Sequence, residues 1–357
     1  MITSVRTRRV SARLHTPFVT AVRRTETADA VMVEVEDDDG RIGYGEAPAV
    51  WRVTGESLDS AQACIDGPLA SVVIGQDADD LVPLAHAVAD AVVANAGAKA
   101  AVDVALHDLA ARRRGVSLPV FLGARHHEIP TDVTLPVAET DTLPDVARQR
   151  VVDGFTVLKM KVGTDAAADV ARVRAVRDAV GNDVAIRLDA NQGWTPREAV
   201  TVIGALEDAR LDVELVEQPV AAADLDGLGW VTDRVATPIM ADESLHSPRE
   251  LVDLIRRRAV DMVNVKLAKC GGLHHARTLL ELARAHGLGT VIGSMMETHI
   301  GIGAAASLAA AYGTTHVNDL DAAWWCAQSP YDGGPRYEKA TLVLSDAPGL
   351  GITGVRA

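Results

Sequence analysis

The chain has 357 residues, of which 48% are hydrophobic and 24% are charged, and its net charge is −14 at pH 7. This composition supplies a large apolar core and excludes a disordered chain, while the acidic balance argues against a nucleic-acid or anionic-membrane partner. The three cysteines, Cys64, Cys270 and Cys326, are too far apart to suggest a disulfide framework or a thiolate zinc site. Because MITSVRTRRV is not followed by an apolar segment, a cytoplasmic location is expected.

The first third of the chain predicts strands followed by helices. The segment AVMVEVEDDDGRIGYGEAPA predicts a β-hairpin that turns between Asp37 and Gly40. From about Ser57 to Arg114, alanine- and leucine-rich periodicity predicts helices, the last of which ends in cations before Gly115. The first third is therefore expected to be α+β.

From about residue 130, short apolar runs alternate with amphipathic helices. Strands that alternate with helices form a parallel series with right-handed crossovers, and eight units predict an α/β fold with a closed (β/α)8-type barrel, a modified TIM barrel. An open doubly wound sheet is the alternative, but no glycine-rich dinucleotide loop follows a strand. The eight predicted strands are TDVTLPV, TVLKMKV, DVAIRLDAN, VELVEQP, IMADES, MVNVKL, GTVIGSMME and HVNDLDA.

Carboxylates follow three consecutive predicted strands, at the end of the barrel where active sites lie. These are Asp189, Glu217 and Asp242, each about one strand-plus-helix step from the next. Three converging carboxylates repel one another unless a hard cation lies between them, and their oxygens suit Mg²⁺. The alternative is that each one is a helix N-cap or a solvated strand end, an explanation that three consecutive cases weaken.

Lysines lie on both sides of this carboxylate series. Lys159 and Lys161 in TVLKMKVG share one face of the second predicted strand, and Lys266 ends the sixth. Neighbouring ammonium groups lower each other's pKa, which a lysine needs in order to act as a base; the alternative is that these side chains snorkel to the barrel rim. Two lysines and a divalent cation suit removal of a proton α to a carboxylate, and a base on each face predicts racemisation or epimerisation.

The strings LKMKVG, RLDANQGW, VEQP, ADES and VNVKLAKCGG resemble the enolase superfamily, muconate lactonizing enzyme subgroup. The resemblance covers nearly the whole chain and implies a homo-oligomer. It also implies that residues 1–124, joined by the tail 326–357, cap a catalytic barrel of residues 125–325. Position by position, it implies that Asp189, Glu217 and Asp242 bind Mg²⁺, that Lys161 and Lys266 are the two acid/base catalysts, and that Lys159 is an electrostatic helper.

Within this subgroup the chain is most similar to the dipeptide epimerases. In NDLDAAWW, Asp319 and Asp321 resemble the Asp-x-Asp pair that holds the α-ammonium group of a dipeptide. The resemblance implies epimerisation of the C-terminal residue of a dipeptide, of the L-Ala-D/L-Glu type, through a metal-stabilised enediolate during cell-wall peptide recycling. Thr134 and Arg23 resemble substrate contacts; Arg23, with Arg24 as the alternative, would reach an acidic substrate side chain.

Other functions stay open at this point. N-succinylamino acid racemases, o-succinylbenzoate synthases and cycloisomerases of the same subgroup have substrates without a free ammonium group. A catalytically silent ligand-binding barrel and a Schiff-base lyase are alternatives of other classes, although neither needs three clustered carboxylates. Glu297 has no assigned role. His299 is expected at the barrel rim, because the preceding strand offers Lys266 in place of an aspartate partner.

Overall fold

In a computed structural model of the protein, helices and a small antiparallel sheet from the first third of the chain pack against a parallel barrel. The structure describes residues 1–19, 24–136 and 140–356. One hydrophobic core runs through the barrel and its surrounding helices, and a second lies between the antiparallel sheet and its own helices. Within the described residues, no helix has both the length and the apolar character needed to cross a membrane.

The antiparallel sheet contains the predicted hairpin and one strand that was not predicted. The hairpin is confirmed: its two strands pair in register from Ala30 opposite Pro48 to Glu36 opposite Ile42. Gly40 in the turn has a φ of 76°. The additional strand is the first of the chain, and it pairs along the outer edge of the hairpin. The three strands, in spatial order, are β1 (Ile2–Val19), β2 (Arg24–Asp37) and β3 (Ile42–Pro48).

Helices cover one face of this sheet, and the longest of them lies unusually close to β3. A Cβ atom at Gly45 would overlap the carbonyl oxygen of Ala101, and one at Gly43 would overlap that of Ala105. Glycine and alanine therefore allow the helix backbone to contact the strand backbone. The helices are α1 (Leu58–Cys64), α2 (Ala70–Val73), α3 (Leu81–Asp90), α4 (Ala96–Arg113) and α5 (Leu118–Leu122), with a π-helical turn (Ile65–Leu69) between α1 and α2.

After β4 (Glu128–Pro130), seven parallel strands form the barrel in chain order. Each of them falls within a predicted run, so seven of the eight predicted strands are confirmed. The strands are β5 (Val133–Leu135), β6 (Val157–Lys161), β7 (Ala185–Asp189), β8 (Val213–Glu217), β9 (Ile239–Ala241), β10 (Met262–Lys266) and β11 (Gly289–Gly293). The helices around them are α6 (Leu143–Val152), α7 (Ala166–Val180), α8 (Pro196–Asp208), α9 (Leu225–Thr232), α10 (Pro248–Arg257), α11 (Leu267–Cys270), α12 (Leu273–Ala285) and α13 (His299–Tyr312).

The eighth predicted strand, HVNDLDA, is reduced to two bridging residues. Asn318 forms a parallel bridge with Thr131 before β5, and Asp319 forms one with Gly293 at the end of β11. The Asn318 side chain also accepts a hydrogen bond from the backbone of Ile292, and so replaces a ladder bond of a regular strand. These bridges join the two edge strands of the seven-stranded sheet and close the barrel.

The end of the chain packs against both earlier parts of the molecule. Arg112 in α4 donates to the carbonyl of Ile352, and the backbone N–H of Leu118 donates to that of Gly349, each at 2.7 Å. A 3₁₀ helix (Ala322–Trp325) precedes four short strands: β12 (Tyr331–Gly333), β13 (Arg336–Glu338), β14 (Thr341–Val343) and β15 (Ile352–Val355). β12 pairs with β15, and β13 and β14 form a sheet with β4.

The close contact between β3 and α4 makes Gly45 sensitive to substitution. We expect Gly45→Ala to lower the free energy of unfolding by about 2–4 kcal/mol, because the added methyl group forces the two backbones apart. The control is Gly204→Ala in α8, where a Cβ meets open space and helix propensity predicts a gain of about 0.5–1 kcal/mol. Urea unfolding would measure both, and a Gly45→Ala protein as stable as wild type would contradict this close approach.

Candidate active site

The predicted metal ligands and the two predicted catalytic lysines lie side by side at the C-terminal ends of the barrel strands. Lys161 at the end of β6 pairs in register with Asp189 at the end of β7, which in turn pairs with Glu217 at the end of β8. Asp242 follows β9 directly, and Lys266 is the last residue of β10. Because parallel strands end at one edge of the sheet, three carboxylates are flanked by a lysine on each side.

Lys159 lies beneath this row and holds three carboxylates at once. Its Nζ lies 3.1 Å from Asp189 Oδ2, 2.6 Å from Glu217 Oε2 and 2.8 Å from Asp319 Oδ2. Burial alone would lower the pKa of Lys159, but these carboxylates outweigh burial and hold it well above its ordinary value. Lys159 is therefore a fixed positive charge and shares one oxygen of Asp189 with Lys161.

Lys161 and Lys266 contact opposite ends of the carboxylate row. Lys161 Nζ donates to Asp189 Oδ2 at 2.6 Å, and its side chain is partly exposed. Lys266 Nζ donates to Asp242 Oδ2 at 2.8 Å and lies 3.9 Å from Glu217 Oε1. Burial lowers the pKa of Lys266, but Asp242 and Glu217 outweigh burial and raise it. With these partners, Lys266 is an ammonium group that can deliver a proton.

A fourth lysine contacts the site and was not assigned a role from the sequence. Lys269 lies in α11, its side chain is fully buried, and Nζ donates to both the carboxylate and the backbone carbonyl of Asp242. Asp242 is thus held by Lys266 on one oxygen and by Lys269 on the other. The signal in the sequence was the short spacing in KLAK, which returns a second lysine to the same strand end.

The carboxylate row fits a hard divalent cation such as Mg²⁺ by its donor chemistry. Asp189, Glu217 and Asp242 are all buried, and burial together with the charge of Asp189 raises the pKa of Glu217 to about 7. Even with lysines around it, Glu217 thus ionises only around neutral pH, well above the range of an ordinary glutamate. Oxygen ligands of this kind are those that Mg²⁺ takes in proteins. The three carboxylates would hold the ion if they exchanged lysine contacts for it.

A different acidic cluster lies away from the barrel, with one buried and two exposed aspartates. Among the described residues, the acidic side chains whose oxygens all come within 4.8 Å of one another are Asp37, Asp38 and Asp39, in the turn between β2 and β3. Asp37 accepts hydrogen bonds from Arg113 and from the backbone of Arg41. These contacts account for the turn, and we assign no ion to it. The carboxylates of Asp189, Glu217 and Asp242 in the barrel do not cluster in this way; each of them forms an ion pair with a lysine.

The predicted ammonium-binding pair, Asp319 and Asp321, lies on the far side of Lys159 and is buried. Asp319 accepts from Lys159, which with Lys266 outweighs burial and lowers the pKa of Asp319. Asp321 Oδ2 accepts from the backbone N–H of Thr134 at 2.8 Å and from the indole N–H of Trp325 at 3.0 Å. Burial and the charge of Asp319 raise the pKa of Asp321 to about 6. Thr134 lies on β5 and contacts the site through its backbone N–H, which donates to Asp321.

Glu297, which had no assigned role, meets a second buried glutamate from β3. A Cβ atom at Gly301 would overlap Glu297 Oε2 and approach Glu46 Oε1 to 2.8 Å, so both carboxylates lie at the first turn of α13. Glu46 accepts from the backbone N–H of Thr298 at 2.7 Å. His299 was expected at the rim, but it is buried in this turn, and burial lowers its pKa to about 4.

The predicted arginine contact is only partly described. Arg23 lies outside the described residues. Its alternative, Arg24, is exposed at the start of β2 and pairs with Glu26 at 3.1 Å. The Arg24 guanidinium is therefore paired with a neighbour on its own strand, β2.

Two family models match the chain over most of its length. Residues 142–356 match the enolase C-terminal domain-like model, and residues 2–123 match the N-terminal domain of mandelate racemase / muconate lactonizing enzyme. The chain belongs to the mandelate racemase / muconate lactonizing enzyme family. The two models together cover the antiparallel sheet, the barrel from α6 onward and the strands that follow it, and leave out residues 124–141 with β4 and β5.

Three relatives in this family are similar over nearly their full lengths. An L-Ala-D/L-Glu epimerase of Bacillus subtilis is 40% identical over 354 residues, 99% of this chain and 97% of the relative. A hydrophobic dipeptide epimerase of Enterococcus faecalis is 41% identical over 355 residues, 99% of each chain. An N-succinyl-L-Arg/Lys racemase of Bacillus cereus is 32% identical over 353 residues, 98% of this chain and 95% of the relative.

Solved structures of two of these relatives superpose closely. The substrate-liganded complex of the B. subtilis enzyme has a TM-score of 0.97, with 40% identity over 100% of this chain and 99% of that one. The E. faecalis enzyme, complexed with Mg and the dipeptide L-Leu-L-Tyr, has a TM-score of 0.94, with 40% identity over 99% of each chain. The barrel and the elements that cover it thus share one architecture with both.

The contact between Glu297 and Glu46 predicts a pH-dependent stability. Burial and the charge of Glu46 raise the pKa of Glu297 to about 8, against 4.5 for an ordinary glutamate. The folded state therefore binds a proton that the unfolded chain releases, so this stabilisation is complete below about pH 4.5 and is lost as the pH rises through about 8. Glu297→Gln cannot ionise, and its free energy of unfolding should fall less steeply than that of wild type over this range.

Urea unfolding between about pH 5 and 8.5 would measure both slopes. The exposed Glu281→Gln serves as the control and should follow the wild-type slope. Equal slopes for wild type and Glu297→Gln would show that Glu297 is not protonated in the folded protein.

Proposed function

We propose that the protein is a Mg²⁺-dependent dipeptide epimerase, which inverts the α-carbon of the C-terminal residue of dipeptides of the L-Ala-D/L-Glu type. The observation that carries this proposal is the placement of Lys161 and Lys266 at opposite ends of three buried carboxylates. An acid and a base on opposite faces of one carbon atom are what inversion requires. The relatives named as dipeptide epimerases match the whole chain and support the same reaction.

Asp189, Glu217 and Asp242 are the proposed Mg²⁺ ligands. When bound, the cation would supply positive charge at the substrate carboxylate and so make the neighbouring α-proton easier to remove. The E. faecalis relative was crystallised with Mg and a dipeptide, which supports the same cofactor here. Lys159 and Lys269 keep the carboxylates in place from below and from the side.

In this scheme one lysine takes the α-proton and the other returns a proton to the opposite face. Asp242 and Glu217 hold Lys266 protonated; a cation bound to both carboxylates would offset their negative charge and so favour the neutral amine, the form that can accept a proton. Lys161 lies nearer to solvent than Lys266, and each lysine serves as base for one of the two epimers.

Asp319 and Asp321 are proposed to hold the α-ammonium group of the dipeptide, and Thr134 to support them from β5. Two buried carboxylates beside the site suit a substrate with a positive charge at the end remote from the reacting carbon. Arg23 is the proposed partner of an acidic substrate side chain. N-succinylated amino acids lack the ammonium group, so a preference for them over dipeptides would indicate an N-succinylamino acid racemase.

The surroundings of the site lead to three further proposals. Residues 1–124 and 326–357 are proposed to form one cap over a barrel of residues 125–325, which the hydrogen bonds from Arg112 and Leu118 to the end of the chain support. The protein is proposed to act in the cytoplasm, where peptides from cell-wall recycling would be its substrates. It is also proposed to be a homo-oligomer.

The two-base scheme predicts that each lysine is needed for inversion. We expect Lys161→Ala and Lys266→Ala each to reduce epimerisation of L-Ala-L-Glu by at least about 10²–10⁴-fold, because each removes one proton carrier. In D₂O each variant should still exchange the α-proton of the epimer whose base is left, so mass spectrometry should detect a one-deuteron gain without inversion. The exposed Lys339→Ala is the control and should keep wild-type turnover. Wild-type epimerisation in both site variants would rule out a two-base reaction.

The carboxylate row predicts a stabilising response to Mg²⁺. After treatment with a chelator, addition of Mg²⁺ at about 100 times its dissociation constant should raise the free energy of unfolding by about 2.7 kcal/mol, since the ion binds the folded state. Asp242→Asn should largely abolish the shift in melting temperature. Asp39→Asn in the surface acidic turn is the matched control and should keep it. An unchanged melting temperature in wild type would argue against a Mg²⁺ site and favour a catalytically silent barrel.

A further inference from the structure

The indole of Trp325 is tied directly to one of the two proposed ammonium-binding carboxylates. Trp325 is 1% exposed and ends the 3₁₀ helix that begins immediately after Asp321. Its Nε1–H donates to Asp321 Oδ2 at 3.0 Å, and the backbone N–H of Thr134 donates to the same oxygen at 2.8 Å. In the described part of the chain these hydrogen bonds both end on Oδ2, so Oδ1 is the oxygen that can accept from a ligand.

The same indole is a contact surface for β1. The ring of His15 stacks on it with centroids 5.3 Å apart and planes at 25°, and the ring of Phe18 meets it edge-on at 5.6 Å. Next to it, Leu14 forms an antiparallel bridge with Cys326. One side chain thus joins the proposed ammonium-binding carboxylate to β1.

Trp324, the neighbouring residue, takes part in the same aromatic cluster without this bond. Its ring meets that of Phe155 at 5.2 Å and lies under the Arg150 guanidinium at 5.0 Å. Among the described residues, the side-chain N–H that bonds the Asp321 carboxylate belongs to Trp325. Substituting each tryptophan in turn therefore distinguishes the effect of aromatic packing from the effect of the hydrogen bond to Asp321.

We propose that Trp325 is a positioning residue for the substrate's ammonium group: it fixes Asp321 so that Oδ1 accepts from the ammonium, and it joins this subsite to β1. This inference rests on the proposed dipeptide epimerase function. Hydrogen bonds to a charged acceptor stabilise that charge, and a buried carboxylate without its donors is costly to keep ionised. Without the indole N–H, Asp321 is held by Thr134 alone and binds the ammonium more weakly.

The test measures Michaelis constants and compares two ligands. Trp325→Phe should raise the KM for L-Ala-L-Glu about tenfold and leave kcat within about twofold, because the ammonium is remote from the reacting carbon and is bound equally in substrate and transition state. N-propionyl-L-glutamate has the same skeleton without the ammonium, and its inhibition constant should change by less than about twofold. Trp324→Phe makes the same change of ring size in the same cluster and should leave both constants near wild type.

Two results would overturn the proposal while the function stands. One is a wild-type KM in Trp325→Phe; the other is an equal weakening of the dipeptide and of its propionyl analogue, which would indicate general disruption of the site. If Trp325→Phe does not fold, 3-benzothienylalanine at position 325, whose ring has a sulfur atom in place of the N–H, should give the same selective rise in KM. A wild-type enzyme that epimerises no dipeptide would instead refute the proposed function, and this inference with it.

Discussion

The structure of the site depends on balancing buried charge. Isolated ions are expensive to bury, and a buried pair is stable only when its partners are well placed. The register of β6, β7 and β8 meets this condition, because it sets Lys161 beside Asp189 and Asp189 beside Glu217. Carboxylates are then shared between cations: Asp189 by Lys159 and Lys161, and Asp242 by two further lysines. A shift of one residue in a strand would turn these side chains to the other face and leave them unpaired.

The same balance continues below the site into the barrel. Arg187 on β7 precedes Asp189 by two residues and therefore lies on the same face of the strand. It is buried and donates to Asp132 at 3.1 Å. Burial and the charge of Asp319 together raise the pKa of Asp132 well above its ordinary value. Asp319 thus contacts Lys159 and acts electrostatically on Asp132, which in turn accepts from Arg187. The proposed catalytic and ammonium-binding groups belong to one set of charges, so removing a member changes the electrostatics of both.

Most of the barrel and the row of charges could be predicted from the sequence, because alternation of strands and helices fixes which residues lie at strand ends. What could not be predicted depends on where flexible side chains or irregular backbone go. Lys269 lies on a short helix after β10, and helix periodicity does not reveal that its long side chain turns back to Asp242. HVNDLDA has strand-like residues, yet the Asn318 side chain takes over a ladder bond there. His299 is buried at the start of α13, where Glu46 from another part of the chain accepts from the neighbouring Thr298, a long-range contact with no local signal.

The covering elements meet the barrel at several places: Asp103 of α4 accepts from the backbone N–H of Leu273 after β10, and two further contacts lie beyond β11 and at Trp325. Glu46 on β3 reaches the first turn of α13, just beyond β11, while His15 and Phe18 on β1 pack against Trp325. Both contacts lie away from the lysines and carboxylates of β6 to β10. For the proposed epimerase, we therefore expect changes in β1 or around Trp325 to affect how the remote end of a substrate is held before they affect proton transfer. The residues proposed to select the substrate and those proposed to carry out the reaction thus differ in their packing partners, while their charges belong to one set.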